Sequence, residues 1–393
     1  MQSTVRYVGL DVHKDTIVMS VAEAGTQPAE IYATLPNDPA AVLSRLRKLG
    51  PLPAMIVCYE AGPTGYELYR FLNAAGVQCH VVAPSMVPTQ NGNRVKTDRR
   101  DARRLAHFLR SGDLTAIWVP DQHTEALRDL SRSRDDAKRA ERTARHQLSK
   151  FLLRKGCRFE GKSHWTLAHW AWIKRQTFAH EAANRVLTDY IRTAERATQR
   201  VQGLTLDIGQ LVEDWALGPL VKNLQGFRGV QLVTAAGLAA EVGDFHRFAT
   251  AGQFMAFAGL VPSEHTTGTK RRQGGITKSG NRHLRRLLIE AGWHYYRTPL
   301  RVSAELHARR VGIPQAVIDI ADKALQRLGA KSYRMKQGTK PPNKIVTALA
   351  RELAGFLWAA ARLSTTPPGA RFQNGSRQAK SPERKPRRNA PQN

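Results

Sequence analysis

The order of short apolar runs in the first 110 residues constrains this chain more than any other feature. Residues 5–12 (VRYVGLDV) and 16–22 (TIVMSVA) are rich in β-branched side chains and joined by the polar triplet HKD, the pattern of a strand hairpin. Residues 30–35 read as a third strand. Residues 38–49 have helical spacing, with Pro39 at a favourable first-turn position. Residues 53–60 (PAMIVCYE) read as a buried strand, 64–75 as a helix ending at Gly76, 77–83 as a fifth strand and 96–110 as a further helix. The expected order is three strands, helix, strand, helix, strand, helix, within an α/β domain.

Beyond residue 121 the chain changes character. From 121 to 214 it is rich in Arg, Ala, Glu, Leu and Gln, with almost no Pro or Gly outside 156–161. That predicts long helices paired as an antiparallel coiled coil. Residues 220–362 are helical again, with Gly-punctuated turns. From 365 to 393 there are five Pro, seven Lys or Arg and one acid, the composition of a disordered basic tail. The expected division is 1–115, 116–218 (helical, coiled coil), 219–363 (mainly α) and 364–393 (tail). Cys58, Cys79 and Cys157 are odd in number and form no CxxC pair, which argues against a disulfide framework or structural zinc.

The chain carries 61 Lys+Arg against 32 Asp+Glu, a formal charge of +29. Nucleic acid is the partner that best neutralises such an excess, because each phosphate contact releases counterions. An anionic membrane competes, but no apolar run approaches the roughly 18–20 residues of a spanning helix. The N-terminal MQSTVRYVGLDVHKD lacks a signal-peptide layout. The expectation is a cytoplasmic protein with no membrane partner.

Four acids stand out. Asp11 ends the first predicted strand and Glu60 the fourth, so neighbouring strands would deliver both carboxylates to one sheet edge. Asp98 and Asp101 are three apart on a predicted helix and share a face. Converging carboxylates repel unless a cation lies between them, and hard oxygen ligands suit Mg²⁺ or Mn²⁺. Arg94, Lys96, Arg99, Arg100, Arg103 and Arg104 place six cations within eleven residues beside them. The competing reading makes Asp11 a turn former, Glu60 a solvated strand end and Asp98 and Asp101 ordinary partners of arginine. Asp15 reads as a hairpin-turn residue.

The segments GLDVHKD, CYEAGPTGYELYRFL and KTDRRDARRLA closely resemble DEDD-type transposases of bacterial insertion sequences. That family includes the pilin-gene inverting recombinase, and its catalytic domain resembles the RuvC junction resolvase. The predicted element order is likewise that of a ribonuclease-H-like fold. The stretches LQGFRGVQLVTAAGLAAEVGDFHRF and GLVPSEHTTGTKRRQGGITKSGNRHLRRLL resemble the family's C-terminal transposase domain. Matching blocks cover most of 5–110 and 222–300, while the helices between match in position rather than in sequence.

The resemblance implies that Asp11, Glu60, Asp98 and Asp101 are catalytic and hold Mg²⁺ or Mn²⁺. It also implies a hydroxyl nucleophile immediately before a glycine, typically Ser; here the position is Thr267, in HTTG. Thr keeps the hydroxyl, but its β-branch restricts χ1 and crowds the approach. Thr266 is a neighbouring candidate, and Ser263 and Ser279 are weaker ones. The family pattern further implies a site composed of both domains across subunits of a homo-oligomer, a dimer or tetramer. It implies strand cleavage and rejoining of element ends and target DNA through a circular intermediate, guided by a structured RNA. A structure-specific endonuclease resembling a junction resolvase, or a non-catalytic nucleic-acid binder, are the alternatives.

Other features fit polyanion binding. Residues 224–241 have a helix-hairpin-helix pattern, with Gly226 and Gly229 in a turn that would expose backbone N–H groups to phosphate; a packed glycine turn is the bland alternative. Lys270, Arg271, Arg272, Lys278, Arg282, Arg285 and Arg286 place seven cations and no acid between His265 and Leu288. Trp165, Trp170 and Trp172 offer base-stacking surfaces, although such spacing more often packs against a partner helix. His164 and His169, five apart, read as surface or packing residues.

Overall fold

The computed structural model describes residues 5–88, 97–265, 267, 272–297 and 301–365. The chain divides into two compact units, Met1–Asp121 and Gln122–Asn393.

The first unit is built on a five-stranded sheet of β1 (Arg6–Val12), β2 (Thr16–Glu23), β3 (Glu30–Pro36), β4 (Met55–Glu60) and β5 (Gln78–Val82). The strand order is β3-β2-β1-β4-β5. β1 pairs antiparallel with β2 and parallel with β4, and β4 pairs parallel with β5. Its helices are α1 (Pro39–Leu49), α2 (Glu67–Ala74) and α3 (Asp98–Ser111). Asp38 caps α1, its side chain accepting from the amides of Ala40 and Ala41. α2 starts later than residue 64, because Gly65 adopts a left-handed φ of 70° and its amide closes a turn on the Gly62 carbonyl.

Period-two alternation sorts the strands into two faces. Val8 and Leu10 of β1 are fully buried with Val57 and Tyr59 of β4, against Leu43 and Leu46 of α1 and Leu68 and Leu72 of α2. The opposite face carries Gly9 and Cys58 and receives α3. A Cβ at Gly9 would stand 2.4 Å from the Ala106 amide nitrogen and 2.5 Å from the Ala102 carbonyl oxygen. Only glycine lets α3 lie directly on β1. Cys58 is buried beneath the same helix, its thiol facing the Leu105 carbonyl at 3.8 Å. Neither it nor Cys79 or Cys157 is disulfide-bonded.

The second unit begins with two 33-residue helices, α4 (Gln122–Arg154) and α6 (Glu181–Glu213), each on the order of 50 Å long, with α5 (Leu167–Lys174) between them. Arg134 meets Thr205 while Arg145 meets Thr198, so the long helices run antiparallel. Trp165, Trp170 and Trp172 pack beside Phe178 and Tyr190 around Phe151 and Leu187 at the far end of the pair. His169 is buried there, its Nδ1 accepting from the Trp165 amide at 2.9 Å.

The remainder comprises α7 (Gly218–Leu224), α8 (Leu232–Val242), α9 (Ala251–Phe257), the pair β6 (Pro262–Glu264) and β7 (Gln273–Ile276), then α10 (Arg282–Arg297), α11 (Ala304–Arg309), α12 (Gln315–Gln337) and α13 (Pro342–Ser364). Phe227, Leu238, Phe245, Phe254, Leu284, Leu288, Leu349 and Leu353 lie in their shared core. Two carboxylates are buried in this unit with their charges matched: Glu141, which Lys138 and Arg145 each meet at 2.6 Å, and Glu241. Arg132 donates to both Glu241 oxygens at 2.8 and 3.0 Å, and Asn281 donates at 2.7 Å. Among the described residues, no helix is long and apolar enough to cross a membrane.

Candidate active site

Register brings the first two acids together. β1 and β4 are parallel with Leu10 opposite Tyr59. The next residues, Asp11 and Glu60, therefore leave adjacent strands on the α3 side, with backbones roughly 4.8 Å apart. α3 supplies the other two. Thr97 caps it by accepting from the Arg100 amide, and Asp98 and Asp101 occupy its first turn, where the helix dipole favours carboxylates. The close approach at Gly9 brings that turn over the end of β1.

The four acids form two linked groups rather than one ring. His13 Nε2 lies 3.2 Å from Asp11 Oδ2 and 3.3 Å from Asp98 Oδ1. Asp11, His13 and Asp98 offer ligand atoms that all lie within 4.8 Å of one another. Arg104 joins the other pair, with Nη2 3.4 Å from Asp101 Oδ1 and 3.7 Å from Glu60 Oε1. Asp101 is well enclosed, its side chain 13% exposed, while that of Asp98 is 58% exposed. Burial raises the Asp11 carboxyl above its ordinary pKa; His13 opposes that shift, and the nearby charges of Asp101 and Asp98 add to it.

Sequence reasoning missed His13, which it treated as part of a polar hairpin link. The available signal was its position two residues after Asp11, at the mouth of the β1–β2 turn. It also grouped Arg104 with five other cations beside the acids, whereas this guanidinium bridges two of those acids. Arg99, Arg100 and Arg103 are exposed on α3. Arg94 and Lys96 lie outside the described residues.

In the second unit Thr267 is exposed; Thr266, Lys270 and Arg271 lie outside the described residues. Arg272, Lys278, Ser279 and Arg282 are exposed, and Ser263 sits in β6. Arg285 turns inward and donates to the Ala258 carbonyl at 3.1 Å. Arg286 is engaged by Asp135 and Glu290. Gly229 has a left-handed φ of 75°, and a Cβ there would stand 2.8 Å from the Ala291 carbonyl. That turn is thus a packed one, yet it borders a cavity of about 360 Å³ at the start of α8, lined in part by Arg228, Gln231, Thr234, His294 and Arg309.

The chain is similar to known proteins along most of its length. Residues 221–308 match the transposase IS116/IS110/IS902 family, and residues 8–155 match the DEDD transposase family named for IS110. The putative transposase y4qE of Sinorhizobium fredii is 40% identical over 91% of this chain and 88% of its own length. The transposase for insertion sequence element IS1533 of Leptospira borgpetersenii is 32% identical over 85% of this chain and 97% of its own. A probable family 20 transposase of Pseudomonas aeruginosa is 28% identical over 78% and 84% respectively. With a five-stranded α/β unit that presents paired acids, a largely helical remainder and relatives spanning both, the chain belongs to the IS116/IS110/IS902 family of DEDD-type insertion-sequence transposases.

Proposed function

We propose that the protein cleaves and rejoins DNA strands at element ends and target by divalent-metal-dependent phosphodiester chemistry, on a ribonuclease-H-like (RuvC-like) domain. The observation that carries this reading is the gathering of carboxylates at one sheet edge, with Asp11 and Asp98 3.2 and 3.3 Å from the shared His13 and Glu60 and Asp101 joined through Arg104. Oxygen donors crowded in this way fit Mg²⁺ or Mn²⁺. Asp11, Glu60, Asp98 and Asp101 would hold the metal; when bound it activates an attacking oxygen and offsets charge on the leaving one. Arg99, Arg100 and Arg103 would hold backbone phosphates, which orient DNA without reading sequence. Arg104 would keep Glu60 and Asp101 in place until the cation is bound.

Thr267, an exposed residue, carries the hydroxyl proposed to attack phosphorus. Arg272, Lys278 and Arg282, with Lys270, Arg271, Arg94 and Lys96, would contact nucleic acid; Arg285 would support that surface from beneath. The cavity at the start of α8 suits a backbone phosphate. A structured guide RNA, a homo-oligomer and a cytoplasmic setting complete the reading, as does the division into 1–115, 116–218, 219–363 and 364–393.

The test is a plasmid carrying the element ends, assayed for nicking and strand exchange with Mg²⁺ or Mn²⁺. Asp11→Asn and Glu60→Gln are expected to lose both activities, and chelation to do the same. Thr267→Ala is expected to lose exchange. Exchange unimpaired by Thr267→Ala would remove that hydroxyl from the mechanism. Nicking by the wild type with no exchange under any condition would favour a resolvase-like endonuclease, and no processing at all would favour a non-catalytic binder.

A further inference from the structure

We infer that His13 is a direct nitrogen ligand to the cation held at Asp11 and Asp98, so that the site has a mixed nitrogen–oxygen donor set rather than an all-carboxylate one. This rests on the metal reading above and adds to it a residue that the four acids do not include. Three observations support it.

The first is distance. In an octahedron with ligands about 2.1 Å from the ion, neighbouring ligand atoms stand about 3.0 Å apart. His13 Nε2 lies 3.2 Å from Asp11 Oδ2 and 3.3 Å from Asp98 Oδ1, so it is spaced as a neighbour of both. Glu60 and Asp101 are instead drawn together by Arg104. The second is preorganisation. The His13 amide donates to the Thr16 carbonyl at 2.9 Å, which closes the β1–β2 turn. Asn37, in the β3–α1 connection, donates to the His13 carbonyl at 2.8 Å and to that of Lys14 at 3.3 Å, while its own amide donates to the Asp15 carbonyl at 3.0 Å. The turn that carries the imidazole is thus latched at three successive residues. The third is access. The His13 side chain is half exposed, so the ring can bind an ion entering from solvent without unpacking the core.

An imidazole donor alters which metal the site prefers. Imidazole suits the later transition metals, whereas Mg²⁺ favours oxygen ligands and retains its waters. His13 should therefore tilt the site toward Mn²⁺ and its later neighbours relative to Mg²⁺. His13→Gln should weaken Mn²⁺ binding on the order of tenfold or more, the scale on which even outer partners of metal ligands act. It should change Mg²⁺ binding less.

The decisive experiment is electron spin echo envelope modulation on the full-length protein loaded with Mn²⁺. Wild type is expected to show nitrogen modulation from a directly bound imidazole, and histidine labelled with ¹⁵N should shift it to the ¹⁵N frequencies without any mutation. The modulation should vanish in His13→Gln while the Mn²⁺ signal remains. Bound Mn²⁺ without nitrogen coupling in the wild type would overturn the assignment and leave the carboxylate site standing. Failure of the wild type to bind Mn²⁺ at all would instead overturn the metal reading beneath it.

Discussion

Asp11 in the first unit and Glu241 in the second are carboxylates placed under packed secondary structure, and the protein treats them in opposite ways. Burial raises both. At Glu241 the bidentate Arg132, the Asn281 amide and the charge of Arg128 more than offset it, and the carboxyl is held below its ordinary value. Glu141, with Lys138 and Arg145, and Glu352, with Lys331 and Arg327, are lowered in the same manner. At Asp11 burial outweighs the opposing His13, with the like charges of Asp101 and Asp98 adding a smaller push, and the carboxyl stays above its ordinary value. A closed ionic cluster stabilises a fold junction; an open one keeps capacity for a ligand. Perturbed carboxylates occur in both settings, so it is the sign of the imbalance that distinguishes them.

That contrast can be broken from either side. The largest effect is expected from Glu241→Ala, which leaves Arg132 and Arg128 facing an emptied buried site and should cost about 3–5 kcal/mol in urea unfolding of the second unit. Gly9→Ala follows, at about 1–3 kcal/mol, because the new methyl meets α3 backbone that cannot swing aside. It should also lower activity by displacing the turn that carries Asp98 and Asp101. Asp11→Asn should do the reverse of Glu241→Ala. Without metal at neutral pH, its stability should equal or exceed that of wild type, while strand cleavage is lost.

The smallest effect is in pH dependence, and the two sites should differ in sign. Glu241 has a depressed carboxyl, so its contribution is present above the ordinary value of 4.5 and lost as pH falls below it. Asp11 has a raised carboxyl, so its favourable contribution is present below the ordinary value of 3.8 and lost as pH rises through the folded pKa. Acid titrations of unfolding, in metal-free buffer, should show Glu241→Gln flattening the loss of stability on acidification and Asp11→Asn steepening it. Shifts in the same direction for both variants would remove the distinction.

Much of the first unit was legible because its constraints are local. The alternation of Val8 and Leu10 against Gly9 and Asp11 fixes the faces of β1, and Asp38–Pro39 and Thr97 mark the starts of α1 and α3. Three features were not legible, since each depends on packing between distant segments. The role of Gly9 exists only once α3 lies on β1. Arg104 reads as one more exposed arginine until Glu60 is brought beside Asp101. His13 reads as hairpin filler until Asp98 reaches it. In the second unit the same limit applied to the tryptophans, whose spacing fits stacking platforms and packed residues equally, and to Gly229, whose turn is filled by α10.

The most direct measurement is thermal unfolding of the wild type and Asp11→Asn across a Mn²⁺ or Mg²⁺ titration. An ion that binds only the folded protein stabilises it by about 2.7 kcal/mol at a hundred times its dissociation constant. A rising midpoint for the wild type and a flat one for Asp11→Asn is the expected result. Equal responses from the two proteins would contradict a cation site at Asp11.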